Sequence, residues 1–399
     1  MSSPASTLEL DHERATRSAA PAFVLFCSGH FFIDLYSIAL SVLQPLLLTQ
    51  FGLSLTQAGL LGGMLVFSSS VMQPVYGYLS DRFHSYLFTA LAPAVAAIFI
   101  SSLGLASGYG MLLAMVWIGG AAIASFHPQA TANATLGIKT NRGRAMATFI
   151  SSGTLGLALG PTYFSWMTQT LGLTRTFWAA LPGILMSVLL LSLLRLPAPH
   201  SGPKVRLDFA PMRAVWRPLT ILFLLVVIRS IVQVTFGQFL PLYLKLQRGY
   251  SLSAASYITS MYLIGGAVGG FTGGNLADRF GGRRVILLSM ICSMPFLLLF
   301  VFTSGPISLA GLLLGGLILL FTIPVNVMMG QELVPQNAGT VSALMMGGAW
   351  GLAGIVFIPL TGWVSDHYSM QHAFAGLVLT PLIGFLLALR LPGSQTSRQ

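Results

Sequence analysis

Acidic side chains are almost absent from this sequence: there are 9 Asp and Glu in 399 residues, and all charged residues together make up 7 %. Soluble chains carry about 25 %, and no water-exposed surface can be built from so few charges. A soluble protein is thereby excluded, and the 55 % of apolar residues points to an integral membrane protein. Cysteine is equally scarce. Cys27 and Cys292 both lie in apolar segments and give neither a disulfide framework nor a metal-ligand spacing. Missing too are a phosphate-binding G-x-x-x-x-G-K-[ST] loop, an H-E-x-x-H motif and a soluble domain large enough to hydrolyse ATP. An enzyme, a cofactor and a bound metal are therefore not expected, and any work done must draw on an ion gradient. Residues 1–20 are polar, have no apolar leader core and read as a solvated tail.

What is abundant is long apolar runs. A spanning helix needs about 20 mostly apolar residues. Twelve such stretches are expected, at 22–48, 56–79, 86–106, 110–136, 144–169, 176–195, 218–244, 253–277, 284–304, 307–331, 338–364 and 372–392. They are expected to be helices because each backbone polar group must be satisfied inside lipid. Of the 20 Lys and Arg residues, all but four fall in the tails and in loops on the N-terminal side of the membrane. Arg175, Lys245 and Arg248 fall in loops on the other side, and Arg229 lies within a span. This asymmetry puts both termini in the cytoplasm. It also accounts for the net charge of +11 without nucleic acid.

The chain repeats itself. "FGLSLTQAGLLGGMLVFSSSVMQPVYGYLSDRF" (51–83) aligns without gaps on "RGYSLSAASYITSMYLIGGAVGGFTGGNLADRF" (248–280). Gly52, Ser54, Leu55, Gly77, Asp81 and Arg82 fall on Gly249, Ser251, Leu252, Gly274, Asp278 and Arg279. The offset is close to half the chain. The Pro-rich, basic stretch 196–217 divides the spans six and six. The expected architecture is all-α, with twelve transmembrane helices in two pseudo-symmetric six-helix bundles. These are a bundle at 21–195, a cytoplasmic linker at 196–217, a second bundle at 218–392 and a tail at 393–399.

The paired "GYLSDRF" and "GNLADRFGGRR" resemble the loop signature of the major facilitator superfamily, Gly-x-x-x-Asp-Arg/Lys-x-Gly-x-Arg/Lys-Arg/Lys. That resemblance implies a cytoplasmic gate at Gly77, Asp81, Arg82, Gly274, Asp278, Arg279, Arg283 and Arg284. The first copy continues "HSYLF" and lacks the basic tail. A closer resemblance is carried by "FHPQATANATLGIKTNRGRAMATFISSGTLGLALGP" (126–161) and "GQELVPQNAGTVSALMMGGAWGLAGI" (330–355). Both look like the fosmidomycin resistance family, described as drug efflux by proton antiport. "FHPE" is frequent in that family where this chain has "FHPQ", and Gln129 cannot carry a proton.

A charge at mid-bilayer costs about 2.5–3.5 kcal/mol on insertion scales. Asp34 lies mid-span in the first helix, and His30, Ser37, Ser41 and Gln44 share its stripe at spacings of three and four. The stripe is either a proton-coupling site or a packed interhelical seam. Arg229 lies at similar depth in the seventh helix, with Gln233 one turn on. It is expected either to pair with Asp34, directly or through water, when no substrate is bound or to hold helix-end carbonyls. His127, with Pro128 behind it, is either a hydrogen-bond anchor or a participant in proton traffic. Gln44, Gln129, Arg229, Gln233 and Asn326 are expected to line a substrate cavity, with Pro324 bending the tenth helix. Glu332 is expected at the gate.

The expected function is secondary transport by alternating access: proton-coupled efflux of a small drug-like or anionic molecule, such as fosmidomycin, whose phosphonate suits a guanidinium. Asp34, His30 and His127 would handle the proton. The partners are then a small-molecule substrate, protons and the lipid bilayer, with no nucleic acid. A monomer in the cytoplasmic membrane is expected. Two alternatives remain open: an uptake symporter or uniporter for a metabolite anion, and a membrane sensor that binds ligand without moving it.

Overall fold

The structure is a computed structural model and describes residues 4–83, 86–136, 138, 141–194 and 210–391. Side chains are described from residue 21 onward, except those of Asp81, Phe83, Arg142 and Gly143. The expected linker up to residue 209, the tail 393–399, Lys139 and the side chain of Asp81 thus lie outside the described residues.

The described residues form helices and no strand. The first span is α1 (Pro4–Ser37) continued by α2 (Ala39–Phe51). Next come α3 (Leu55–Phe83), α4 (Leu87–Ser101), α5 (Tyr109–Asn133), α6 (Arg142–Leu171) and α7 (Leu181–Leu193). A short α8 (Ala210–Ala214) precedes α9 (Trp216–Leu246), α10 (Leu252–Phe280) and α11 (Gly282–Phe302). The tenth expected span is broken into α12 (Gly305–Leu319) and α13 (Thr322–Leu333). The eleventh starts as α14 (Ala338–Ala343), passes through a π-helical turn at Leu344–Gly348 and continues as α15 (Ala349–His367). Last is α16 (Met370–Ala388).

Among the described residues nine helical segments are long and apolar enough to cross a membrane, which makes this a multi-pass membrane protein. The other three expected spans are also helical. Of these, α4 has 15 residues, whereas α6 and α10 are long but rich in Gly, Ser and Thr. Small residues trade hydropathy for close backbone approach. At Gly156 of α6 a Cβ would lie 2.0 Å from the Phe31 carbonyl oxygen of α1, so only glycine lets these two helices meet.

Pro324 accounts for the break between α12 and α13. It offers no N–H to the Leu320 carbonyl one turn back, and the helix is interrupted there. Ser289 of α11 donates to the carbonyls of Ile318 and Leu319 at the end of α12, at 2.6 and 3.1 Å. The two repeats each begin with a glycine in the left-handed region, Gly52 at φ 60° and Gly249 at φ 72°. An L side chain would be strained at either position.

Buried apolar side chains fall into two clusters. One draws on residues 26–190 and the other on 219–391, with Ala58 the only first-half residue among the buried members of the second. The halves meet through α3 against α15, α6 against α10 and α2 against α9. Hydrogen bonds join the halves toward the end opposite the repeated loop motif. Asp366 of α15 accepts from the backbone N–H of Leu55 and Thr56 at 2.9 and 2.8 Å, and from the Thr56 hydroxyl at 2.6 Å. Ser253 donates to Gln169 at 2.8 Å, and the Thr162 and Ser260 hydroxyls are 3.0 Å apart. The bundle is therefore latched at the end away from the loop motif.

Candidate proton and substrate site

The i, i+4 spacing of His30 and Asp34 puts both on the face of α1 that meets α5 and α6. His30 Nε2 lies 3.4 Å from Asp34 Oδ2, and His127 of α5 brings its Nε2 to 3.7 Å from Oδ1. The three side chains are 10 %, 13 % and 22 % exposed, so the cluster is sheltered without being sealed. His30 Nδ1 lies 2.8 Å from the Phe149 carbonyl oxygen of α6. A carbonyl only accepts, so Nδ1 carries a proton and Nε2 is the nitrogen aimed at Asp34. A neutral His30 then presents a lone pair to a carboxylate oxygen, and a proton between them turns that opposition into a hydrogen bond. The ring is held by stacking on Phe149, 4.4 Å between centroids.

Gly153 closes the cluster from α6. A Cβ there would lie 2.4 Å from His30 Nε2 and 2.5 Å from Asp34 Oδ2. Among the described residues His30, Asp34 and His127 are also the only His, Cys, Asp and Glu side chains spaced to hold a metal ion, with ligand atoms within 4.8 Å of one another.

Arg229 sits in α9 of the other half and is 2 % exposed. Its Nη1 donates to Gln233 Oε1, its Nη2 donates to the Ser230 hydroxyl at 3.0 Å, and its buried Nε has no partner. The guanidinium carbon lies 5.9 Å from the centroid of the Trp350 ring of α15. Among the described residues Asp34 and Arg229 make no direct ion pair in this structure. Asp34 is taken up by two imidazoles of its own half, and Arg229 by neutral groups of the other.

The remaining expected site residues part company. Gln129 turns away from His127 and accepts from Thr89 of α4 at 2.5 Å, inside the first bundle. Two residues apart on one helix is about 200°, so the pair cannot face one way. The stripe on the first helix is interrupted at Ile38. Ser37 and Ser41 donate to the carbonyls of Asp34 and Ile38 in their own helix, and Gln44 donates to the Ala58 carbonyl at 3.0 Å. Asn326 is fully buried with both amide atoms unpartnered.

Of the expected gate residues, Asp278, Arg279, Arg284 and Glu332 are exposed. Arg283 donates to the Leu389 carbonyl at 2.8 Å, and Arg82 donates to the Tyr78 hydroxyl at 3.1 Å. Gly77 approaches Pro128, and Gly274 approaches Pro324. None of these contacts crosses between the halves. The residues that sequence reasoning passed over are Phe149, which acts through its backbone, together with Gly153, Trp350, Tyr262 and Asp366. Asp366 alone left a signal, as one of the few acidic residues in the chain.

The family model of the Major Facilitator Superfamily matches residues 25–357 and 222–399. An uncharacterized MFS-type transporter of Bacillus subtilis, YfnC, is 29 % identical over 95 % of this chain and 94 % of that protein. The fosmidomycin resistance protein of Escherichia coli is 26 % identical over 90 % of this chain and 89 % of its own length. Among solved structures, a single-residue mutant of the nucleoside transporter NupG superposes with a TM-score of 0.80 at 13 % identity, over 94 % of this chain and all of that one (100 %).

Proposed function

Because the chain belongs to the major facilitator superfamily, a family of transporters, we propose that it exports a small organic anion in exchange for protons by alternating access. The observation that carries this reading is the division of charge between the halves. A carboxylate flanked by two imidazoles lies in one half. A buried guanidinium with no carboxylate within ion-pair distance, among the described residues, lies in the other.

An unpaired buried cation is costly, and a bound anion removes that cost. Asp34 and His30 take a proton in one orientation of the protein and give it up in the other, with His127 adjoining the carboxylate. Substrate on Arg229 and proton on Asp34 need not touch. Exchange requires that the halves reorient with one or the other bound and not with both. Gln233 orients the guanidinium, and Asn326 and Gln44 supply further polar surface. The loop residues Gly77, Asp81, Arg82, Gly274, Asp278, Arg279, Arg283, Arg284 and Glu332 form the gate that closes when the opposite end opens. The protein works as a monomer in the cytoplasmic membrane with both termini inside, and it needs no metal or cofactor. Fosmidomycin is the first substrate to test, because a relative is named for resistance to it and its phosphonate suits a guanidinium.

Exchange of labelled fosmidomycin across proteoliposomes tests the assignment. Arg229→Gln is expected to lose exchange. Asp34→Asn is expected to keep exchange and lose accumulation driven by a pH gradient. Accumulation by folded Asp34→Asn at the wild-type level would reject the proton assignment, and unchanged exchange by Arg229→Gln would reject the anion assignment.

A further inference from the structure

Resting on the anion reading of Arg229, we propose that Trp350 and Tyr262 make this site selective for organic anions with an apolar, planar body. Arg229 alone would accept any small anion. Its surroundings are more particular. The partly exposed Trp350 ring lies against the guanidinium, 5.9 Å from its centroid to the guanidinium carbon. An anion held in the plane of the guanidinium leaves its body beside the indole. A compact hydrophilic body would leave that apolar ring wet, whereas an aromatic body would cover it and gain stacking contact.

The second observation concerns donors. Tyr262 of α10 is 1 % exposed, and its hydroxyl has no hydrogen-bond partner. Its ring is packed against Phe236 of α9, 5.8 Å between centroids, and Phe236 lies two turns along that helix from Arg229 on the same face. Arg229 Nε is likewise buried and unpartnered. A buried polar group without a partner is costly unless something arrives to satisfy it. Nε offers only a proton and Tyr262 can donate one, so what arrives is an acceptor such as a phosphonate or carboxylate oxygen. The headgroup is thus read by Arg229 and Tyr262, and the body by Trp350.

Calorimetric titration of the purified full chain in detergent with phenylphosphonate and methylphosphonate tests this, since the two probes share a headgroup and differ in body. Wild type is expected to bind the phenyl compound about tenfold more tightly. Trp350→Ala should erase that preference, and Trp350→Phe should keep most of it. Tyr262→Phe should weaken both probes alike and leave their ratio unchanged. Equal binding of the two by wild type would overturn the proposal, as would a preference that survives in folded Trp350→Ala. If either occurs while Arg229→Gln abolishes binding, the anion reading stands and only the selectivity falls. If wild type binds neither probe, or Arg229→Gln binds both as wild type does, the anion reading falls and takes the selectivity with it.

Discussion

Gly153 is where a single hydrogen atom in place of a side chain sets the geometry of the candidate proton site. A methyl group there would lie 2.4 Å from His30 Nε2. The imidazole cannot simply swing aside, because Nδ1 is tied to the Phe149 carbonyl and the ring is stacked. Overpacking of this kind costs about 1–3 kcal/mol. Gly153→Ala is expected to remain folded, as judged by size-exclusion and thermal melting, and to lose pH-driven accumulation about tenfold or more. A second residue-scale prediction concerns the alternative occupant of the trio. If a proton is the occupant, transport by protein prepared with a strong chelator will match that of untreated protein. Activity lost to chelator and restored by a divalent ion would show that His30, Asp34 and His127 hold a metal.

How much of this site was legible depended on the residue. The His30–Asp34 pair follows from i, i+4 spacing alone. His127 could be singled out by type, but only packing of α5 on α1 brings it to the carboxylate. Pairing Asp34 with Arg229 was reasoned from opposite charge at equal depth, which ignores neutral partners nearer at hand. Imidazoles lie against Asp34, and an amide and a hydroxyl take up Nη1 and Nη2 of Arg229 while its Nε stays unpartnered. Phe149 acts through its backbone carbonyl, and no side-chain pattern announces that.

At the scale of elements, α3 and α15 form the closed end. Asp366 accepts three hydrogen bonds at the start of α3, where free N–H groups and the helix dipole favour a carboxylate. The contact is exposed, so its net worth is discounted to about 1 kcal/mol, roughly fivefold in population. Asp366→Ala is expected to raise labelling of a cysteine placed between α3 and α15 by about that factor. Labelling at the wild-type rate would mean that packing alone holds this end shut. Here sequence reading named the elements but not the latch. The repeat and the apolar runs placed the long helices to within about five residues, because length and hydropathy are set by the bilayer, except that α1 begins at Pro4, inside the stretch expected to be a tail. Breaks were less visible. Pro324 marked one of them, whereas the break at Ile38 and the π-helical turn at Leu344–Gly348 have no sequence signal as plain.

At the scale of the whole molecule there are two cores, one latched end and repeated loops whose described contacts stay within each half, as the proposed alternating access requires of one of its two orientations. The Asp34 carboxylate and the Arg229 guanidinium lie in different halves, so relative motion of the halves changes what each faces. In the proposed cycle, movement of an anion in one direction is tied to movement of a proton in the other through Asp34. The most direct measurement is proton flux into proteoliposomes containing a pH-sensitive dye, with fosmidomycin added under an imposed gradient, for wild type beside Asp34→Asn. Substrate-dependent proton movement is expected in wild type and none in the variant. Substrate-dependent proton movement of equal rate in folded Asp34→Asn would contradict it.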